Sequence, residues 1–202
     1  MSKNFYYGSR KNVEDYIQMA KPYNGKELIR QLKKYLEPGS KILELGTGPG
    51  KDMDILLKNY RVTGSDLSPV FLELYRERQP DSNLILLDAR TLEITDNFDC
   101  IFSNKVLHHL SKEELHLSLK KQAKLLNPAG LVMHSFWEGD REEILSGLRF
   151  IYYRLEDLRI IFSRYFDIIG IEAYEEELPG DSVWVLGRRK EGSGRQEAVG
   201  SL

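Results

Sequence analysis

Five residues, Lys41-Ile42-Leu43-Glu44-Leu45, run directly into Gly46-Thr47-Gly48-Pro49-Gly50, and this junction constrains the fold more than any other segment. A short apolar run bounded by Gly39 and Gly46 reads as a buried strand. A glycine-rich turn leaving such a strand tolerates positive φ angles and lets backbone come close to a ligand. A helix that follows presents unsatisfied N–H groups to the same region.

Strands and helices alternate around the junction. Apolar residues at helical spacing from Asn12 to about Leu36, broken near Lys21-Pro22-Tyr23-Asn24-Gly25, predict two helices separated by a turn. Helices are further expected at Asp52 to Asn59, at Pro69 to Arg78 with Ser68 as N-cap, and at about Lys112 to Leu126 with Ser111 and Glu114 as a capping box. Strands are expected at Arg61 to Ser65, Leu84 to Leu87, Phe98 to Ser103 and Leu131 to Phe136. This alternation is the signature of a parallel sheet covered on both faces. Phe166 to Tyr174 and Ser182 to Arg188 are joined by a turn too short for a helical crossover, which predicts a closing antiparallel hairpin.

The 202 residues, 41% of them hydrophobic, suffice for one substantial core, so a single domain is expected over residues 1–190. Residues 1–37 read as a helical lid, 38–190 as the sheet-bearing core and 191–202, rich in Gly and Ser, as a disordered tail. A net charge of -2 gives no electrostatic reason for a nucleic-acid or membrane partner. No apolar run reaches membrane-spanning length and the first residues carry no signal-peptide core, so a cytoplasmic location is expected. The lone Cys100 reads as a small core residue, and no His/Cys spacing suggests a metal site.

A glycine-rich turn alone also suits a dinucleotide, and three features narrow the choice. The spacing is Gly-x-Gly-x-Gly, with Lys51 standing where the last glycine of the dinucleotide fingerprint belongs. Glu44 precedes the turn, where a carboxylate repels a pyrophosphate but attracts an ammonium or sulfonium. Asp66 ends the second strand about twenty residues after Gly46, placed to accept hydrogen bonds from ribose hydroxyls.

These residues resemble the class I S-adenosylmethionine-dependent methyltransferases of the small-molecule type. Glu44-x-Gly46-x-Gly48-x-Gly50 matches that family's first motif, Asp66 its ribose-binding acid, and Leu87-Asp88-Ala89 its third-strand motif. Phe98 to Ser103 running through Leu107-His108-His109-Leu110 matches the fourth-strand motif, and Leu126 to Leu131 the following turn. The resemblance implies a Rossmann-like, seven-stranded, mostly parallel sheet with helices on both faces and S-adenosylmethionine as cofactor, with no metal. The cofactor residues it implies are Glu44, Gly46, Thr47, Gly48, Gly50, Asp66, Leu67, Asp88, Ala89, Ser103 and Asn104. Blander roles stay open for three of them: packing for Gly50, capping of a turn for Asp88, and helix capping for Asp66.

Open α/β sheets bind ligands at the carboxyl ends of their strands, which singles out Asn104, Lys105, His134, Ser135 and Trp137. His109 and His134 are candidates for a base, beside the alternative that both are structural. Aromatic residues are dense before the first strand (Phe5, Tyr6, Tyr7, Tyr16, Tyr23) and after the fifth (Trp137, Phe150, Tyr152, Tyr153). In the resembling family these regions cover the acceptor, so Tyr23, Trp137 and Tyr153 are candidate substrate contacts. The expected partner is a small-molecule acceptor. A cofactor-binding regulator without activity and a nicotinamide-dependent oxidoreductase are the competing readings.

Overall fold

The strand that feeds the glycine turn, β1 (Lys41–Leu45), is paired on both edges and covered on both faces, and four of its five residues are buried. It runs parallel to β2 (Arg61–Asp66) on one side and β4 (Phe98–Asn104) on the other. The computed structural model describes residues 6–191. Phe5, and residues 192–202 of the stretch read as a tail, lie outside the described residues.

The sheet has seven strands in the order β3-β2-β1-β4-β5-β9-β8, where β3 is Leu84–Leu86, β5 is Leu126–Trp137, β8 is Phe166–Tyr174 and β9 is Ser182–Arg189. β3 through β5 are parallel, whereas β9 is antiparallel to both β5 and β8. The Rossmann-like arrangement and the antiparallel closing pair expected from the sequence are both present. Chain order reverses between β1 and β4, which places the crevice that binds ligands in such sheets beyond Leu45 and Asn104.

Side chains alternate along strands, and this sorts the core into two clusters. Ile42, Cys100, Phe102 and Met133 face α2 (Lys26–Leu32) and α3 (Lys51–Leu56). Leu43, Ile101, Val132 and Phe136 face α5 (Lys112–Leu125) and α6 (Leu155–Ser163). Cys100 is buried and unpaired. By the same alternation Glu44, Asn104, Ser135 and Trp137 share the α3 face, and Ser103 and His134 share the α5 face.

Helix starts follow the local signals. Ser68 Oγ accepts the Phe71 N–H ahead of α4 (Pro69–Arg78), and Ser111 and Glu114 form the reciprocal capping box of α5. Such caps stabilise a helix by about 1 kcal/mol. Ser9 caps α1 (Arg10–Met19), which with α2 makes the two N-terminal helices.

Four features depart from the sequence reading, the first being α6, a helix not expected there. α3 ends at Leu56, short of Asn59. β5 begins at Leu126, and the Asn127–Gly130 turn bulges from it between the Phe98↔Leu126 and Cys100↔Leu131 pairs. A small second sheet, β6 (Glu142–Leu145) with β7 (Leu148–Ile151), follows β5. Its turn, Ser146-Gly147, has φ of 52° and 79°, the conformation that joins two-residue hairpins. The sequence does carry that serine-glycine signal, but runs of four residues with charges among them are too short for their periodicity to be recognised.

Candidate functional site

The glycine turn owes its shape to packing as well as to backbone freedom. Gly46, Gly48 and Gly50 have φ of 67°, 51° and 80°. A Cβ on Gly46 would fall 2.5 Å from the Val106 side chain, and one on Gly50 would fall 1.9 Å from the Tyr75 ring. Packing therefore accounts for glycine at both positions. At Gly48 the nearest atom is the Gly46 carbonyl oxygen at 3.9 Å, so that face of the loop is open.

Two carboxylates hold the turn from beneath. Glu44, 2% exposed, accepts the Thr47 hydroxyl at 2.9 Å. Burial and then the nearby Asp52 push its carboxyl well above the usual range, against the Thr47 hydrogen bond. Asp66 accepts the N–H of Gly48 at 2.9 Å on one oxygen and that of Ser68 at 2.8 Å on the other. Burial nevertheless lifts it to about 6. Each Asp66 oxygen keeps acceptor capacity beyond these bonds. Leu67 is half-buried between Asp66 and the α4 cap.

The two residues after the turn grip the N-terminal helices. Lys51 Nζ donates to the carbonyls of Ala20, Lys21 and Tyr23 at 2.7, 2.5 and 3.1 Å, closing the end of α1. Asp52 accepts the Gly25 N–H at 2.5 Å and the Asn104 amide at 3.0 Å. Asn104 in turn accepts from Ser135 Oγ at 2.6 Å. Neither Lys51 nor Asp52 was assigned a role from sequence, although Lys51 stood out by breaking the dinucleotide pattern. Farther along the lid, Tyr7 and Tyr16 pack against Phe71, and the Tyr7 carbonyl accepts from Ser68 Oγ at 2.6 Å. A cleft of about 420 Å³ runs between α1, α4 and the Gly48-Pro49 edge of the turn.

Other sequence-derived residues are dispersed. Asp88 is chelated by Arg90, whose backbone N–H, Nε and Nη2 all donate to it while Nη1 turns to Glu114, and the Asp88 carbonyl accepts from Thr91 and Leu92. Burial raises the Asp88 carboxyl, but the Arg90 hydrogen bonds outweigh it and hold it below its usual value. The Ala89 carbonyl accepts from Ser118. Ser103 Oγ lies 2.8 Å from His134 Nδ1, and His134 Nε2 lies 2.8 Å from Gln122 Oε1 on α5, across the sheet from the glycine turn. Burial lowers His134 to about 3, so its imidazole is neutral. His109 Nδ1 lies 2.6 Å from the Arg149 carbonyl in β7, and burial lowers its pKa. His108 is buried against Phe150, and among the described residues neither ring nitrogen has a hydrogen-bond partner.

The three candidate substrate contacts diverge. Trp137 lies under Lys105, on the same face as Asn104. Tyr23 sits at the lid margin, its hydroxyl 2.5 Å from Glu177. Tyr153 packs edge-on against Phe136, with a buried hydroxyl lacking a partner among the described residues. Among those residues no group of His, Cys, Asp and Glu is arranged to hold a metal, and no helix is long and apolar enough to cross a membrane.

Known proteins agree with this arrangement. Residues 42–130 match the family described as Methyltransferase domain. "Probable tRNA methyltransferase 9B" of Mus musculus is 30% identical over 111 residues, 54% of this chain and 24% of that protein. The chain thus spans about a quarter of the length of the first curated relatives it matches. Among solved structures, N-methyltransferase NodS from Bradyrhizobium japonicum WM9, in complex with S-adenosylhomocysteine, superposes with a TM-score of 0.71 at 16% identity, covering 91% of this chain and 100% of that one. The 1,6-didemethyltoxoflavin-N1-methyltransferase of Burkholderia thailandensis gives 0.72 at 17% identity, covering 95% and 92%. The fold is that of the class I, Rossmann-like S-adenosylmethionine-dependent methyltransferases. The sequence match to a methyltransferase domain extends over residues 42–130.

Proposed function

We propose that this protein transfers a methyl group from S-adenosylmethionine to a small-molecule acceptor. The observation that carries the reading is the open Gly48 face of a turn held between two buried carboxylates, Glu44 and Asp66. The donor set fits the cofactor: cationic groups suit the acidic surroundings of Glu44, and hydroxyls suit the free acceptor capacity of Asp66. A pyrophosphate suits neither. In this reading Gly46, Thr47 and Gly50 shape the turn, Leu67 and Asn104 border it, and Asp88 and Ala89 serve the cofactor's adenine.

Bound there, the cofactor supplies an already activated methyl group, so the chain's own task is chiefly to position reactants and exclude water. Lys51 and Asp52 hold the lid over the turn, and Asn104 and Ser135 order the carboxyl ends of β4 and β5. Trp137, Tyr23 and Tyr153 remain candidate contacts for the acceptor. His134, locked between Ser103 and Gln122, fits a structural part. His109, tied to Arg149, fits a part in holding β7.

The test is calorimetric titration of S-adenosylhomocysteine and of NAD into the full chain, followed by a screen with methyl-labelled cofactor. Binding of S-adenosylhomocysteine with label in a small acceptor is the expected result. Binding of NAD alone would overturn the reading. Label in transfer RNA, the acceptor named for the murine relative, would overturn the small-molecule assignment.

A further inference from the structure

Lys105, directly after β4, adopts a left-handed conformation, φ 56°, which is strained for a non-glycine residue. Strain of this kind persists where surrounding structure enforces it, and commonly near functional groups. Here it turns the side chain inward. Nζ lies 3.3 Å from the centre of the Trp137 ring, 2.6 Å from Ser182 Oγ, 3.6 Å from Glu176 Oε2 and 5.7 Å from the centre of the Tyr174 ring. The Lys105 and Glu176 side chains are 12% and 9% exposed.

This nest is built from the carboxyl end of β4, the end of β5, and the turn between β8 and β9, next to Asn104 and Ser135. The Lys105 N–H donates to Ser135 Oγ at 3.0 Å. The charged and titratable groups around Nζ are Glu176, Glu177 and Asp181 from the turn, Tyr174 from β8, and His108 from the segment after β4. The Tyr174 hydroxyl donates to Glu176 at 2.8 Å. Across the mouth, Tyr16 of the lid feels Asp66, Asp52 and Glu176. The mouth is therefore acidic, and Lys105 is its central cation. Such a field concentrates cations and repels anions.

We propose that the acceptor is an amine and that Lys105 is the base that takes its proton, an inference that rests on the methyltransferase reading above. An amine is protonated near neutral pH and has no lone pair to offer until a proton leaves. The acceptor's N–H bond breaks and its electrons stay on that nitrogen as a lone pair. The proton forms a new N–H bond at Lys105 Nζ. The resulting ammonium is held by Glu176, Ser182 and the Trp137 face. Burial draws Lys105 down to about 8, with Glu176 and Asp181 opposing, so both protonation states are accessible near neutrality. The neighbouring imidazoles are less suited: His134 lies on the other sheet face, His109 is tied to a carbonyl, and His108 is stacked on Phe150.

Competitive acetylation of lysines in the full chain with S-adenosylhomocysteine bound, read by mass spectrometry from pH 6 to 11, reports the Lys105 midpoint. The expected value is near 8, and Glu176→Gln should move it lower because a neighbouring anion is lost; the pH profile of Lys105→Gln is what separates a base from a purely structural lysine. In parallel, methyl-labelled cofactor is offered to primary amines, phenols, carboxylic acids and thiols. Amines should take label, and Lys105→Gln should slow this about 100-fold at pH 7, less as pH rises, with S-adenosylhomocysteine affinity unchanged. A Lys105 midpoint in the ordinary lysine range, no amine labelled, or an unaltered pH profile in Lys105→Gln would overturn the proposal. Failure of the wild-type chain to bind S-adenosylhomocysteine would instead overturn the methyltransferase reading beneath it.

Discussion

Gly25 donates its N–H to Asp52 Oδ1 at 2.5 Å, joining the bend between the first two helices to the residue two positions past the glycine turn. A Cβ on Gly25 would fall 2.8 Å from the other Asp52 oxygen. Gly25→Ala and Asp52→Ala are therefore both expected to loosen residues 10–32 by about 1–3 kcal/mol of local opening free energy. Hydrogen exchange should quicken in α1 and α2 and stay slow in β1, β4 and β5. Unchanged exchange in α1 and α2 would show that other contacts hold the lid.

Gly48 and Gly50 should respond differently to the same substitution. Gly48→Ala meets open space, so its cost is the left-handed backbone alone, about 1–2 kcal/mol. Gly50→Ala adds overlap with the Tyr75 ring, a further ~1–3 kcal/mol. Thermal melting should fall more for Gly50→Ala. Replacing Gly48 with the larger valine should abolish S-adenosylhomocysteine binding in a folded chain.

Asp66 yields two pH dependences of opposite sign. Its carboxyl is raised to about 6 from an unfolded value of about 4, so its contribution to stability is present below pH 4 and lost as pH rises through 6. Ligand hydroxyls donate to the ionised form, so S-adenosylhomocysteine affinity should fall up to about tenfold per unit as pH drops below 6. Calorimetry from pH 4.5 to 7.5 checks this against Asp66→Asn, whose affinity should be low and flat.

His134→Phe should unpair Ser103 Oγ and Gln122 Oε1 in the core, at about 1–3 kcal/mol for each group. Denaturant melts should show the loss while S-adenosylhomocysteine affinity holds. A loss of affinity without a loss of stability would return His134 to the site.

Tyr153→Phe removes a buried hydroxyl without a partner among the described residues, so stability should hold or rise by up to about 1–3 kcal/mol. If that hydroxyl meets the acceptor, turnover falls while stability does not. The comparison of melting temperature with kcat/KM separates the two roles.

The parallel core was legible because Ile42-Leu43, Cys100-Ile101-Phe102 and Val132-Met133 are continuous apolar runs, as strands buried on both faces must be. The glycine turn and Asp66 were legible because backbone conformation and carboxylate chemistry restrict the residues that serve there. The β6–β7 hairpin was not, because each run is only four residues long and Glu142, Glu143 and Arg149 interrupt its apolar residues. Nor was the Lys105 nest, assembled from Trp137, Tyr174, Glu176 and Ser182, which are far from Lys105 in sequence and meet only through the register of β5, β9 and β8. His134 shows the same limit in reverse. One residue of strand alternation separates it from Ser135, and that step decides which face of the sheet it serves.

Lys51 and Asp52 follow Gly50 without a break, so the turn and the side chains that fasten the lid share one short piece of backbone. Linkage between two such parts is reciprocal. Whatever free energy a ligand on the turn gains from a fastened lid, the lid gains equally from the ligand. Occupancy of one is thus an adjustable lock on the other, and α1 becomes a remote gauge of what the glycine turn holds.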